Sequence, residues 1–120
     1  MPDNKRMTTR LKELFERPEI FVLAGGMNPM GAKMAELLGF EAFYMSGGNT
    51  SAHVLGLTEG GTSMRDMVDN ARRITMTVDI PAFVDMDTGY GNPLNVVRTV
   101  QECVRVGGGW CGPGRPALAQ

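Results

Sequence analysis

Two carboxylates stand two residues apart in Val84-Asp85-Met86-Asp87-Thr88-Gly89-Tyr90-Gly91-Asn92, where an apolar run gives way to a glycine-rich loop. Ile80, Pro81, Ala82, Phe83 and Val84 read as a short buried strand. Side chains alternate along a strand, so Asp85 and Asp87 are expected on one side if extended geometry continues through both. Adjacent carboxylates repel, and a shared cation is one common reason to keep them together. Oxygen-only ligands favour a hard ion, and Mg²⁺ usually retains several waters and uses one or two carboxylates. A solvated acidic turn is the commoner fate of an isolated Asp-x-Asp. What distinguishes this one is its company in the chain.

The elements around the pair repeat a simple pattern. Thr8 to Arg17 is expected as an amphipathic helix with Leu11, Leu14 and Phe15 on one face, ended by Pro18. Ile20 to Ala24 has strand length and precedes Gly25-Gly26. Asn28-Pro29 reads as an N-cap with proline in the first helical position, opening a helix through Met30, Met34, Leu37 and Leu38 that Gly39 stops. Ala42 to Met45 is a second strand, leading into a polar loop from Ser46 to Thr62. Ser63 caps a helix through Met64, Met67, Val68, Ala71 and Ile74, the third strand ends at Asp85, and Asn92-Pro93 repeats the N-cap device before Val96, Val97, Val100 and Val104. Three rounds of strand then helix predict an α/β protein with a parallel sheet. Such folds gather their chemistry at the C-terminal ends of the strands. Gly25-Gly26, Ser46-Gly47-Gly48 and Asp85-Asp87 all fall there.

Composition narrows the function classes. Lys and Arg are scattered among acids and the net charge is -1, which argues against a nucleic-acid surface. The apolar runs are far below membrane-spanning length, and no apolar stretch follows Met1-Pro2-Asp3-Asn4-Lys5-Arg6, so a cytoplasmic location is expected. Cys103 and Cys111 lack a metal or redox spacing, and Gly114 stands where a dithiol would need its second cysteine. His53, the single histidine, is expected to be solvated in its loop. From Gly107 to Gln120 the chain is dense in Gly and Pro without periodicity, and is expected to be irregular. The division that follows is 1–106 for the patterned part and 107–120 for the irregular tail.

Three blocks together resemble the isocitrate lyase and phosphoenolpyruvate mutase superfamily: Phe43-Tyr44-Met45-Ser46-Gly47-Gly48, Leu55-Gly56-Leu57-Thr58-Glu59, and the Asp85 stretch, whose order of strand, Asp-x-Asp-Thr-Gly-Tyr-Gly-Asn and helix is the specific one. The resemblance covers about Leu11 to Val106, and since the family has a fourth strand with a metal-site glutamate at this point, it implies that the 107–120 tail is out-of-frame translation or the scar of a truncated gene. It implies the N-terminal portion of a (β/α)₈ TIM-type barrel, truncated after about three strands, since a complete barrel needs roughly 200 residues or more. It also implies a Mg²⁺ site (Mn²⁺ is the alternative) at Asp85 and Asp87, with Glu59 where the family usually has Asp. Ser46, Gly47 and Gly48 match the loop that holds a substrate carboxylate, small residues there letting backbone N–H groups approach an anion. Tyr44 matches a residue that orients substrate or stabilises its developing charge, and tyrosine here looks more like the C–C lyases than the phosphonate mutases. The implied reaction is cleavage of a small 2-hydroxy or 2-oxo di- or tricarboxylic acid, of methylisocitrate or dimethylmalate type. Oxaloacetate decarboxylase and carboxyphosphonoenolpyruvate phosphonomutase chemistry stay open beside it. Full-length family members are expected to be homo-oligomers. The family's Lys/Arg-Cys-Gly-His loop has no counterpart in the 120 residues, so the chain by itself is expected to be inactive, or a non-catalytic binding module.

Overall fold

The computed structural model describes residues 5–111. Helix α1 (Met7–Glu16) buries Leu11. Strand β1 (Ala24–Gly26) is followed by α2 (Pro29–Leu37), which Asn28 caps by accepting the Gly31 N–H at 2.8 Å. Gly39, at φ +87°, turns the chain out of that helix. Strand β2 (Phe43–Met45) comes next, then the short helical turn α3 (Gly47–Asn49) and a π-helical turn from Thr50 to Val54. Ser63 and Asp66 form a reciprocal capping box at the start of α4 (Met64–Thr75). Strand β3 (Ala82–Asp85), α5 (Pro93–Arg105) and β4 (Gly108–Cys111) complete the described chain.

The four strands lie in the order β1-β2-β3-β4 and every pairing is parallel. The alternation of strand side chains then defines two faces. Phe43, Met45, Ala82 and Val84 pack against Ala32 and Ala35 of α2, Met67, Ala71 and Ile74 of α4, and Cys103 of α5. Tyr44 and Phe83 point the other way, where Leu11, Leu14 and Phe15 of α1 close over them with Ala42, Phe21 and Leu23. Among the described residues no helix is long and apolar enough to cross a membrane.

Three expectations need correction. The first strand is Ala24–Gly26 and not residues 20–24: Ile20 is 97% exposed and Val22 66%. The register ties Ala24, Gly25 and Gly26 to Phe43, Tyr44 and Met45, and leaves the preceding apolar residues without a strand to pair with. The glycines belong to the strand because a β-carbon on Gly26 would lie 2.9 Å from Phe43 Cζ. The expected loop after β2 is helical over residues 47–54, because buried Thr50 and Ser51 turn their hydroxyls onto the Ser46 and Gly47 carbonyls at 2.6 and 3.1 Å.

The third correction concerns the tail. Residues 108–111 form a fourth strand, paired with Ala82–Asp85, so the fold extends beyond both the expected boundary at 106 and the expected three strands. Glycine density, taken as a sign of irregular chain, is here a packing requirement. A β-carbon on Gly108 would sit 2.8 Å from Val84 Cγ2 and 3.0 Å from Cys103 Sγ, and one on Gly109 would run into Leu11 Cδ2. Only side-chain-free backbone fits between α5 and α1 at this point. The rest of the expected tail, 112–120, lies outside the described residues.

Surface carboxylates give the fold an acid sensitivity. Lys33, and then the Asp79 N–H, hold the Glu36 carboxyl below its ordinary value; the Arg17 guanidinium does the same for Glu41, and the Ser63 N–H and hydroxyl for Asp66. Depressed carboxyl values stabilise the folded chain above the unfolded value, and that contribution disappears as the pH falls through the folded one. Urea midpoints are therefore expected to be level above about pH 5 and to decline below about pH 4. Since Glu41 is exposed and Glu36 and Asp66 are only half-buried, the decline is modest. Titrations at pH 3, 5 and 7 check it.

Candidate metal and carboxylate site

The C-terminal ends of β2 and β3 bring the first two candidates into contact. In the register Tyr44 lies opposite Phe83, so the side chain of Asp85, two residues on, emerges on the face that Tyr44 shares. The Tyr44 hydroxyl donates to Asp85 Oδ2 at 3.1 Å, across 41 residues of sequence. Asp85 is half-buried, whereas Asp87 is exposed.

The extended geometry that would set Asp85 and Asp87 on one side does not continue through both. Strand β3 ends at Asp85, and Asp87 adopts φ +49°, in the left-handed region. The two are joined differently: the Asp87 N–H donates to Asp85 Oδ1 at 2.9 Å, an Asx-type turn, and the Gly89 N–H donates to the Met86 carbonyl at 2.9 Å. Aspartate tolerates such a turn, and Met86, fully buried, anchors it to the core.

The loop after β2 runs past both carboxylates. A β-carbon built on Gly47 would lie 3.1 Å from Asp85 Cγ and Oδ2, and one on Gly48 3.5 Å from Glu59 Oε1. The paired glycines thus thread between the two acids, and Glu59 is exposed. Ser46 turns its hydroxyl to the helical turn, accepting the Asn49 N–H at 3.3 Å. The first N–H groups of a helical turn have no partner within it, so those of Gly47 and Gly48 are available to an anion.

These features can be tested against a divalent cation. Ion pairs among the described residues engage other carboxylates and none of Asp85, Asp87 and Glu59. Among the described residues no three His, Cys, Asp or Glu side chains converge to hold a metal ion. An oxygen-only set of one or two carboxylates, in no ion pair among the described residues and beside a space that a β-carbon would fill, fits Mg²⁺ with its waters. Gly47→Ala is accordingly expected to crowd the Asp85 carboxylate and weaken Mg²⁺ affinity roughly 10-fold, in the range of outer-shell changes. Titration calorimetry and a thermal melt check it, the melt staying near wild type.

Sequence reasoning missed Tyr90. It holds φ +62° between Gly89 and Gly91, is half-buried and shares a side-chain hydrogen bond with Thr62. Burial pushes its phenol up to about 12; Thr62 opposes this, and Asp87, Asp85 and Asp66 add to it, so the group stays protonated at neutral pH. It links the Asp87 turn to the start of α4, and the Gly-Tyr-Gly spacing was the available signal. Two other features lie apart from this site. Burial pushes the Cys103 thiol up to about 12, which makes it inert. A cavity of about 450 Å³ lies at the opposite end of the strands, where Arg17 pairs with Glu41 and Arg10 bonds the Asp79 carbonyl.

Comparison with known proteins agrees with this arrangement. The sequence profile of the phosphoenolpyruvate phosphomutase family matches residues 11–111. The chain is 39% identical over 97 residues to a 2-methylisocitrate lyase of Aeropyrum pernix, covering 81% of this chain and 32% of that enzyme. It is 38% identical over 99 residues to a 2,3-dimethylmalate lyase of Eubacterium barkeri, covering 82% of this chain and 34% of the relative. Among solved structures, phosphonopyruvate hydrolase in complex with oxalate and Mg²⁺ superposes with a TM-score of 0.79 at 30% identity, over 87% of this chain and 37% of that one. The chain therefore spans about a third of the length of the curated relatives it matches. The profile match over residues 11–111 and the parallel βα succession lead to one assignment: the chain belongs to the phosphoenolpyruvate phosphomutase family, within the superfamily that includes isocitrate lyase, and carries part of that superfamily's TIM-type barrel.

Proposed function

We propose that this chain supplies the divalent-cation and carboxylate-binding part of a Mg²⁺-dependent carbon–carbon lyase acting on a small 2-hydroxy or 2-oxo di- or tricarboxylic acid. The observation that carries the reading is the contact of the Tyr44 hydroxyl with Asp85 at the strand ends, with Gly47 against the same carboxylate. The lyase relatives and the oxalate and Mg²⁺ bound by phosphonopyruvate hydrolase support the ligand class.

In this reading Asp85 and Asp87 would hold the ion, directly or through water, with Glu59 as the third candidate. Bound Mg²⁺ supplies Lewis-acid polarisation of the substrate's carboxylate and neighbouring oxygen. Gly47 and Gly48 N–H groups, with Ser46, receive a substrate carboxylate. Tyr44 orients the substrate beside the ion; its single phenol proton lies on Asp85 and turns to developing negative charge only when that bond is released.

A second reading has its own observation. The 120 residues contain no Cys-Gly-His loop, and the buried Cys103 thiol cannot replace it. The polypeptide by itself then binds Mg²⁺ and dicarboxylates without turning them over. Incubation of the purified chain and Mg²⁺ with 2-methylisocitrate, 2,3-dimethylmalate and oxaloacetate separates the readings. Product formation supports a complete lyase or, from oxaloacetate alone, a decarboxylase. Binding without product supports the module, and no binding of either ion or acid removes both.

A further inference from the structure

We propose that Asn70, a residue of α4 that touches neither carboxylate of the candidate metal pair, is a positioning residue. It fixes the direction of the Gly47 N–H, and with Ser51 the carboxylate-receiving loop as a whole. The inference rests on the reading of Gly47 and Gly48 as the receivers of a substrate carboxylate.

Asn70 is out of place on hydrophobic grounds. It sits on the buried face of α4 among Met67, Val68, Ala71 and Ile74, and is itself only 3% exposed. A buried amide is costly unless it is bonded, so its retention on that face needs partners. Its Nδ2 donates to the Met27 carbonyl, just beyond β1, at 2.9 Å. The same nitrogen lies 3.4 Å from Thr50 Oγ1 and 3.6 Å from Met45 Sδ. One amide therefore ties α4 to the loops after β1 and β2 together.

The consequence for the site follows from peptide geometry. Thr50 spends its hydroxyl proton on the Ser46 carbonyl at 2.6 Å, which leaves its oxygen to accept from Asn70. Ser51 likewise bonds the Gly47 carbonyl at 3.1 Å. A peptide unit is planar and trans, so the carbonyl of one residue and the N–H of the next point in opposite directions. Holding the Ser46 carbonyl toward buried Thr50 turns the Gly47 N–H away from the core. Holding the Gly47 carbonyl toward buried Ser51 does the same for the Gly48 N–H. The Thr50 N–H also donates to the Ser46 carbonyl at 3.0 Å and reaches that of Gly47, and the relay Asn70–Thr50–Ser46 with its Ser51 companion adds a side-chain hold to these backbone bonds. The π-helical turn places Thr50 and Ser51 side by side in the core to do this, a use consistent with where such turns occur.

The test uses Mg²⁺ and oxalate as probes, with calorimetry on the full chain. Wild type is compared with Asn70→Leu, Thr50→Val, Thr50→Ser and the double variant, each confirmed folded by circular dichroism. Asn70→Leu and Thr50→Val are each expected to weaken oxalate binding about 10-fold in the presence of Mg²⁺, as outer-shell losses do. The double variant is expected to lose little more than either single one, because the two act in one relay. Thr50→Ser keeps the hydroxyl and is expected to restore wild-type affinity. Mg²⁺ binding alone should stay within about 2-fold, since Asp85 and Asp87 belong to another strand end. The near-isosteric Thr50→Val decides the matter if Asn70→Leu does not fold. Unchanged oxalate affinity in folded Thr50→Val, or a parallel fall in Mg²⁺ affinity, overturns the inference while leaving the site reading intact. A wild-type chain that binds Mg²⁺ but no oxalate overturns the carboxylate-receiving reading, and the inference with it.

Discussion

Asp85→Ala is expected to weaken Mg²⁺ binding by at least on the order of 100-fold, beyond the 10- to 100-fold typical of groups outside the coordination sphere. Of the two aspartates, Asp85 is the one whose carboxylate the fold holds in place. Its Oδ2 takes the Tyr44 hydroxyl and its Oδ1 the Asp87 N–H, so it presents a fixed orientation to an ion. Asp87, exposed on a left-handed turn that Asp85 itself stabilises, loses its anchor as well as its partner. The stability cost is smaller. Two donors lose their acceptor, at about 1 kcal/mol each, and both lie near solvent, while repulsion between the carboxylates is relieved. Calorimetric titration of Mg²⁺ with a parallel urea melt reads both quantities. Asp85→Asn, which retains an acceptor oxygen but not the charge, should lose most of the affinity with a still smaller change in stability.

The largest effect on stability is expected from Leu11→Ala, about 3 kcal/mol within the 2–5 kcal/mol that buried leucine truncations cost. Leu11 has no exposed surface and closes the inner face of the sheet with Phe83 and Ala42. Beneath it Gly109 offers only backbone, so no neighbouring side chain there can relax into the cavity. Domains of this size have roughly 5–15 kcal/mol in hand, so the change removes a large fraction. A urea denaturation curve measures it. A loss below about 0.5 kcal/mol would show that α1 does not cover that face.

What could be read from the sequence follows the range of the interactions involved. Asn28-Pro29, Ser63 and Asn92-Pro93 mark helix starts locally, and the structure has a cap at each. The parallel succession was legible for the same reason, since each βα unit carries its own pattern. The fourth strand was not, because Gly108 and Gly109 are specified by Val84, Cys103 and Leu11, all distant or hidden from a local rule. The exposed run at Ile20 and Val22 misled in the opposite sense, since apolar residues make a strand only where a neighbour can pair.

The site divides similarly. The Asp85 turn was conspicuous, yet its geometry depends on a left-handed Asp87 that period-two alternation cannot foresee. Tyr44 entered through family resemblance alone; nothing local ties it to a carboxylate 41 residues away. Tyr90 and Asn70 stand in segments that read as loop and helix face, and only their tertiary partners, Thr62 and the Met27 carbonyl, set them apart.

The central claim is that the strand ends bearing Tyr44, Gly47 and Asp85 bind a divalent cation together with a small dicarboxylate. Mn²⁺ electron paramagnetic resonance on the purified wild-type chain, with and without oxalate, tests it most directly. The account predicts one Mn²⁺ site per chain, displaced by Mg²⁺, with a spectrum altered by oxalate and lost in Asp85→Ala. A Mn²⁺ signal that the protein leaves unchanged, or a bound signal indifferent to Asp85→Ala, would contradict it.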